Sequence, residues 1–468
     1  MPVKVANGGG DLGTLSGKYK KKLTMLIIIF AALGGILYGY DIGVISGALL
    51  FLNRDITLTT EQTGFIVAAV LFGGCISTLI SGFVADVWGR RNVLIVGTIL
   101  FLIGVFLTVI CNSYGTLLAG RFIQGFGIGV VSMILPVYIS EVVPPNLRGR
   151  AIALFQLFLT LGITIAYFID LAFTSSGNWR AMFGMVLIPG VVFIIGIAIL
   201  PESPSFFFLR KSVEKAKNAL KKVYFDDDVE VVLGQMETLK KEREIAQGNK
   251  IKQETVFKKA YMIPFGIALA VAILQQFTGI NVILQYCPVI YKDAGVTSNM
   301  ITMLLSTGVT VLNVIFTIIS LILIDKLGRK KLLSIGTVGL TIGLALCALS
   351  FLFGGSGQAV LLTIGFVVFI CLYAVGPGVI VWLVMSEYLP ARIRGKGMAI
   401  CLFANSLASS FLSAVVLLWA GHIGFQGVFW IFVITSAIYA YIAIFILPEA
   451  KGKTLEEIEE GFRHGKKA

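Results

Sequence analysis

Charge is what this sequence has least of. Asp, Glu, Lys and Arg make up 13% of it and hydrophobic residues 57%, against roughly one quarter charged in an ordinary soluble domain. So little charge excludes a chain that meets water on every side. Histidine is rarer still, with only His422 and His464, and neither offers a catalytic constellation. The six cysteines, Cys75, Cys111, Cys287, Cys347, Cys371 and Cys401, are scattered through or beside apolar segments. They lack the close spacing of a metal site or disulfide framework and read as packing residues. No nucleophile, metal or nucleotide motif is present, so the sequence argues against an enzyme, and no cofactor is expected.

What fills the space left by charge is apolar sequence. Twelve stretches, from 23–52 to 397–420 and 427–447, are each long enough to cross a hydrocarbon core about 30 Å thick at 1.5 Å per residue. The first is too long for a signal peptide and no cleavage pattern follows it, so it reads as a retained helix. The net charge of +13 could suggest nucleic acid, but its distribution follows the membrane instead. Of the 38 lysines and arginines, only Arg54, Arg180 and Lys292 fall on one side and Arg121 inside a span; the rest lie on the side of the termini. The positive-inside rule then places both termini in the cytoplasm, with a plasma membrane as the expected location.

The chain also repeats itself. Asp86-Val-Trp-Gly-Arg-Arg91 reappears as Asp325-Lys-Leu-Gly-Arg-Lys330, Ser140-Glu-Val-Val-Pro-Pro-Asn-Leu-Arg-Gly149 as Ser386-Glu-Tyr-Leu-Pro-Ala-Arg-Ile-Arg-Gly395, and Pro201-Glu202 as Pro448-Glu449. Three ordered matches at nearly constant offset indicate a duplication. The expected organisation is a tail (1–22), a six-helix half (23–200), a helical linker (201–260), a second six-helix half (261–447) and a tail (448–468). Parallel halves of this kind predict alternating access, with a site between them near mid-membrane. The linker reads as solvated helices packed beneath the bundle, and a separate regulatory domain is disfavoured because so polar a segment builds only a small core.

The sequence resembles the sugar porter branch of the major facilitator superfamily, most closely the bacterial proton-coupled xylose, glucose and galactose transporters. The resemblance rests on Gly39-Tyr-Asp-Ile-Gly-Val-Ile-Ser-Gly47, Gly120-Arg-Phe-Ile-Gln-Gly125, Pro136-Val-Tyr-Ile-Ser-Glu141, Pro201-Glu-Ser-Pro204, Gln275-Gln-Phe-Thr-Gly-Ile-Asn281, Gly376-Pro-Gly378 with Trp382, and the paired motifs above. It implies an all-α integral membrane protein with twelve transmembrane helices in two pseudo-symmetric six-helix bundles, the major facilitator fold. The function it implies is import of a monosaccharide such as glucose, xylose or galactose by proton symport, the proton being the coupling ion. The partners are then sugar, proton and membrane lipids, with no nucleic acid, and the working unit is a monomer. An uncoupled sugar or polyol facilitator and a nontransporting sugar receptor are the alternatives.

Asp41 and Arg121 stand in otherwise apolar spans, where each costs about 2.5–3.5 kcal/mol unless paired or hydrated. They lie at depths of roughly 16 and 10 Å from the outer ends of their spans at helical rise, comparable enough to pair. A rearrangement that changes their distance or hydration changes the proton affinity of the carboxyl, which makes them the candidate coupling residues; a static salt bridge is the alternative. One inward proton supplies about 2.3 kcal/mol per 100 mV, and tenfold accumulation requires about 1.4.

Neutral amides suit a polyhydroxyl substrate because they donate and accept without adding charge. Gln275, Gln276 and Asn281 lie deep in the seventh span, where Gly279 permits a break. By resemblance these contact sugar, as do Gln156, Asn313, Trp382 and Asn405; interhelical amide bonds are the alternative. Tyr38, Gln285, Tyr286 and the Gly376-Pro377-Gly378 interruption are candidate gate or hinge positions. Asp86, Arg90, Glu141, Arg148, Asp325, Arg329, Glu387 and Arg394 are expected to form a charge network that latches the cytoplasmic side, topology signalling being the alternative for the basic members. Three positions depart from the family pattern: Ser205 stands where Arg usually follows Pro-Glu-Ser-Pro, with Arg210 the next basic residue, Gln285-Tyr286 stands where two tyrosines are frequent, and Ala450 stands where Thr usually follows the terminal Pro-Glu. The first leaves one ion pair missing or relocated.

Overall fold

The computed structural model describes residues 19–210, 212–248, 261–353, 355–390 and 393–449. Among these the chain is helical throughout, apart from a single antiparallel bridge between Tyr19 and Tyr224. The first half contains α1 (Lys21–Ala48), α2 (Thr60–Trp88), α3 (Arg90–Ile110), α4 (Tyr114–Val142), α5 (Pro145–Phe173) and a sixth pass split into α6 (Trp179–Gly184) and α7 (Leu187–Ile199). Helices α8 (Pro204–Leu209), α9 (Val213–Val223) and α10 (Asp226–Gly248) follow. The second half opens with a broken pass, α11 (Met262–Phe277) and α12 (Ile280–Asp293), then α13 (Asn299–Leu327) and α14 (Arg329–Ser350). A second broken pass, α15 (Ser356–Val375) and α16 (Pro377–Glu387), precedes α17 (Arg394–Tyr441).

Among the described residues eleven helical stretches are long and apolar enough to span a bilayer, one fewer than the sequence predicts. The difference lies in α17, whose 48 residues would reach about 72 Å if straight, more than twice a hydrocarbon core. Its backbone leaves helical geometry at Gly424, with φ 69° and ψ 164°, between the two spans expected at 397–420 and 427–447. The helix is two passes folded at that glycine, and the molecule has twelve. An even number returns the chain to the side on which it began, called here the terminus side; the opposite end is the far side.

Large apolar residues such as Phe83, Ile199 and Phe445 are 66–75% exposed around the outside. In water such a surface would be a liability, whereas in a bilayer it is the lipid face. Without a hydrophobic drive between helices, close packing must bind them, and α1 provides it with Gly35, Gly39, Gly43 and Gly47 at four-residue spacing. A Cβ at Gly39 would lie 1.8 Å from the carbonyl oxygen of Leu159, and one at Gly35 2.5 Å from that of Phe155. This glycine face presses α1 onto the backbone of α5 and leaves Asp41, two residues off that face, to point elsewhere.

The repeated motifs do the same local work in each half. Gly89 and Gly328 adopt φ 95° and 86°, turning α2 into α3 and α13 into α14, and a carboxylate sits against each turn. The backbone N–H of Arg91 donates to Glu202 at 3.1 and 3.2 Å, and that of Arg329 to Glu449 at 3.2 Å. Each Pro-Glu that follows the last pass of a half therefore caps the N-terminus of the third, an anion placed on a positive helix end. Helix α9 lies beneath the first half, its Ala216, Leu220 and Val223 joining that half's apolar core. Lys20 ties the entry of α1 to it, donating its backbone N–H to Val223 at 2.8 Å.

The halves meet on the far side. Buried residues of both, including Ile45 and Tyr167 from one and Ile283 and Phe432 from the other, form one continuous cluster. On the terminus side the second half keeps a cluster of its own, with Tyr261, Phe265, Ile324, Val384, Tyr388 and Leu447. The buried apolar core is thus shared at one end of the molecule and divided at the other.

Candidate functional site

Asp41 and Arg121 form an ion pair, Arg121 Nη1 lying 3.3 Å from Asp41 Oδ1, with side chains 0% and 1% exposed. Helix α1 ends at Ala48 and not near residue 52 as the sequence suggests. Asp41 and Arg121 are therefore each seven residues from a far-side helix end, at a common depth of roughly 10 Å. A third residue completes the group. The Gln124 side-chain amide donates to Asp41 Oδ1 and accepts from Arg121 Nη1 at 3.2 Å. Gln124 lies one turn along α4 from Arg121, a spacing at which side chains meet, and that signal was available in the sequence. The Arg121 guanidinium also lies 5.2 Å over the Phe183 ring of α6, a contact no sequence pattern announces. Among the described residues Asp41 Oδ2 and Arg121 Nε have no partner although buried, so the pair leaves hydrogen-bonding capacity unused.

The amides of the broken seventh pass form a network with α17. Thr278 and Gly279 interrupt the helix, Gly279 at φ 81°. The Phe277 carbonyl beside the break accepts from Thr435 at 2.7 Å. Gln276 donates to Gln275 at 2.8 Å and to Asn405 at 3.1 Å, Asn405 donates to Gln275 at 2.9 Å, and Gln275 donates to Tyr373 of α15. Asn281 donates to Gln276 at 2.9 Å and to Ser409 at 2.6 Å. One turn farther, Gln285 accepts from Ser413 at 2.8 Å. Asn281 with Ser409 and Gln285 with Ser413 make two rungs of one ladder, which accounts for the amide at 285: it has a partner at matching pitch on α17.

A cavity of ≈ 510 Å³, counting the space continuous with its mouth, lies between the halves. Tyr38, Thr78 and Ser132 line it from the first half and Gln276, Asn281 and Ser409 from the second, with Asn405 among them. Tyr38 belongs to the helical turn that carries Asp41, so the buried ion pair and the cavity share a wall. Gln275 is buried behind Gln276. Gln156, Asn313, Gln285, Tyr286 and Trp382 do not line this cavity. Asn313 is buried, Gln156 is half-buried, and Trp382 is 40% exposed on α16. Tyr286 is buried and donates to the Ser413 carbonyl at 2.7 Å. The serines and threonine of the wall were missed because isolated hydroxyls are common in membrane helices, although Ser409 stands one turn from Asn405. Gly376, Pro377 and Gly378 separate α15 from α16, where Gly376 has φ −107° and ψ −96°.

On the terminus side Arg90 pairs with Asp86 at 2.8 Å and Glu141 at 3.0 Å, and Arg329 with Glu387 at 3.1 Å. These ion pairs lie within their own halves, so each braces one bundle. Arg148 donates to the Val143 carbonyl at 2.9 Å. The side chains of Asp325 and Arg394 lie outside the described residues. Arg210 donates to the Val87 carbonyl at 2.5 Å and lies 5.7 Å over the Phe206 ring. With Ser205 in the usual arginine position, the basic group nearest in sequence thus meets the end of α2. Buried acids outside the sequence reading include Asp170 of α5, which is fully buried and accepts from the backbone N–H of Gly47 at 3.0 Å.

The chain is similar to known proteins along nearly its whole length. The family model described as "Sugar (and other) transporter" matches residues 27–462. The chain is 38% identical over 444 residues to the probable metabolite transport protein CsbC of Bacillus subtilis, covering 94% of each. It is 30% identical over 455 residues to the galactose-proton symporter of Escherichia coli, covering 96% of this chain and 97% of that one. The inward open conformation of the xylose transporter XylE from E. coli superimposes with a TM-score of 0.80 at 26% identity, covering 93% of this chain and 99% of that one.

Proposed function

The chain belongs to the sugar transporter family, and from that premise we propose that it imports a monosaccharide such as glucose, xylose or galactose, driven by protons through alternating access. It is a multi-pass membrane transporter of the major facilitator fold and not an enzyme. The observation that carries the reading is the shared wall: the buried Asp41–Arg121–Gln124 group lies behind a cavity lined by Gln276, Asn281, Asn405 and Ser409.

Each part has a chemical task in this scheme. The amides and hydroxyls replace the water of a sugar's hydroxyl groups without presenting a net charge. Asp41 carries the proton, and Arg121 and Gln124 compensate the carboxylate once it is released. Tyr38 connects the two, since movement of α1 against the sugar shifts the carboxyl against Arg121. The terminus side is the cytoplasm in this reading, by the distribution of lysine and arginine, and the cavity lies on the terminus side of the contacts that join α5 to α12 and α13. The structure is then the inward-facing state of a monomer in the bacterial inner membrane, where no resident cofactor is needed and lipid covers the apolar outer surface.

Purified protein in liposomes tests this. An imposed inward proton gradient should drive accumulation of one of these sugars above equilibrium. Asp41→Asn should abolish accumulation and spare exchange of labelled for unlabelled sugar. Accumulation that survives the substitution would remove Asp41 from coupling, and equilibration without accumulation in the wild type would make the protein a facilitator.

A further inference from the structure

Pro288 sits inside α12 and has no N–H, so the carbonyl four residues earlier, that of Leu284, loses its helical donor. The opposite half supplies one. The Tyr167 hydroxyl on α5 donates to the Leu284 carbonyl at 2.5 Å and itself accepts from Ser46 of α1 at 2.7 Å. Tyr167 is fully buried, and its acceptor lies across the boundary between the halves. Two residues of one half are therefore chained to a backbone group of the other, and hydrogen bonds in such a chain strengthen one another. One turn deeper, Thr164 donates to the Thr310 carbonyl at 3.0 Å and continues the seam.

We infer that the Tyr167–Leu284 hydrogen bond is the far-side latch of the transport cycle, made while the cavity opens toward the terminus side and broken when it opens toward the far side. The inference rests on the alternating-access reading above and adds positioning residues to it, Tyr167 and Pro288, neither of which touches the cavity. Pro288 is what makes the latch specific. In an unbroken helix the Leu284 carbonyl would be occupied by its own chain and would offer the other half nothing. With Pro288 in place, the carbonyl is free to take Tyr167 when the far side closes. When the halves part, water or a hydroxyl of an entering sugar meets it, so the freed acceptor is never left bare.

The test uses the full-length protein in lipid nanodiscs, with spin labels at Ser175→Cys and Met300→Cys, exposed far-side positions on the two halves. Pulsed dipolar spectroscopy reads the distance between them. Tyr167→Phe should raise the ratio of far-side-open to far-side-closed molecules about fivefold, the change expected for one hydrogen bond. Pro288→Ala keeps the hydroxyl but returns a helical donor to Leu284, and should shift the ratio in the same direction. Because both act on a single bond, the double variant should shift it no further than the larger single effect. Unchanged distances in the single variants, or fully additive shifts in the double variant, would overturn the latch; if one single variant does not fold, the other decides alone. The measurement needs neither sugar nor proton gradient, so a wild-type protein that transports no sugar would sink the transport reading while this result stood separately.

Discussion

Gln124 donates to the same carboxylate oxygen of Asp41 that Arg121 approaches, and accepts from the same guanidinium nitrogen. The amide thereby closes a three-membered ring of buried polar groups between α1 and α4. Such a network raises the cost of losing any one member, since the others cannot turn to water.

Removing that amide should therefore be felt in stability. Gln124→Ala leaves Asp41 Oδ1 and Arg121 Nη1 each one partner short, a cost of about 1–3 kcal/mol. The melting temperature of the purified protein should fall measurably, and sugar accumulation under a proton gradient should fall with it. A variant that melts and accumulates as the wild type does would show that Arg121 alone organises the carboxyl.

On the proposed reading, amides on the cavity wall meet the substrate and amides away from it hold helices together. Gln276→Ala and Asn281→Ala should each weaken sugar binding about tenfold, the loss of one or two hydrogen bonds to the ligand. Gln285→Ala, which removes a rung to Ser413 away from the cavity, should change binding by less than about threefold, a small part of one hydrogen bond. Equilibrium binding of labelled sugar distinguishes the two groups, and equal effects at all three positions would erase the distinction.

Packing between α1 and α5 makes a prediction with an internal control. Gly39→Ala drives a methyl group onto the Leu159 backbone, whereas a Cβ at Gly82 meets nothing within 4 Å. Overpacking of this kind costs about 1–3 kcal/mol. The yield of monodisperse protein and its melting temperature should drop for Gly39→Ala and hold for Gly82→Ala.

At the far-side surface, hydrogen bonds from Arg180 and from Trp179, the latter at 2.9 Å, hold the Asp55 carboxyl below its ordinary range. A depressed carboxyl stabilises the fold above its unfolded-state value, about 3.9, and that contribution is lost as pH falls through the lower folded-state value. The difference in melting temperature between wild type and Asp55→Asn should thus be full at neutral pH and vanish in strong acid. Asp55 is exposed, so the effect should be small and reduced further by salt. A difference that does not vary with pH would assign it to packing.

Much of this molecule was legible in one dimension. The apolar runs mark the twelve passes because a backbone in lipid must satisfy its hydrogen bonds within itself. The duplicated motifs mark the two halves, and the structure shows why they recur: Gly89 and Gly328 turn the chain where Glu202 and Glu449 cap the next helix. Asp41 and Arg121 stand out because charge in an apolar span is costly. Gln124 and Asp170 did not stand out, one because a single amide is unremarkable and the other because it lies near the end of its span.

The passes, their duplication and the costly buried charges are properties of residues and their spacing along the chain. Tertiary packing sets Asp41 and Arg121 at one depth with Gln124 bonded to both. It alone decided that Gln276, Asn281 and Asn405 face the cavity while Gln156, Asn313 and Trp382 do not, and that the apolar core is shared on the far side alone. Those outcomes depend on how the two halves sit against each other. Twelve helices of the same composition can rock about one site into more than one arrangement, and hydrophobicity does not distinguish the faces that lipid covers from the faces that a partner helix covers.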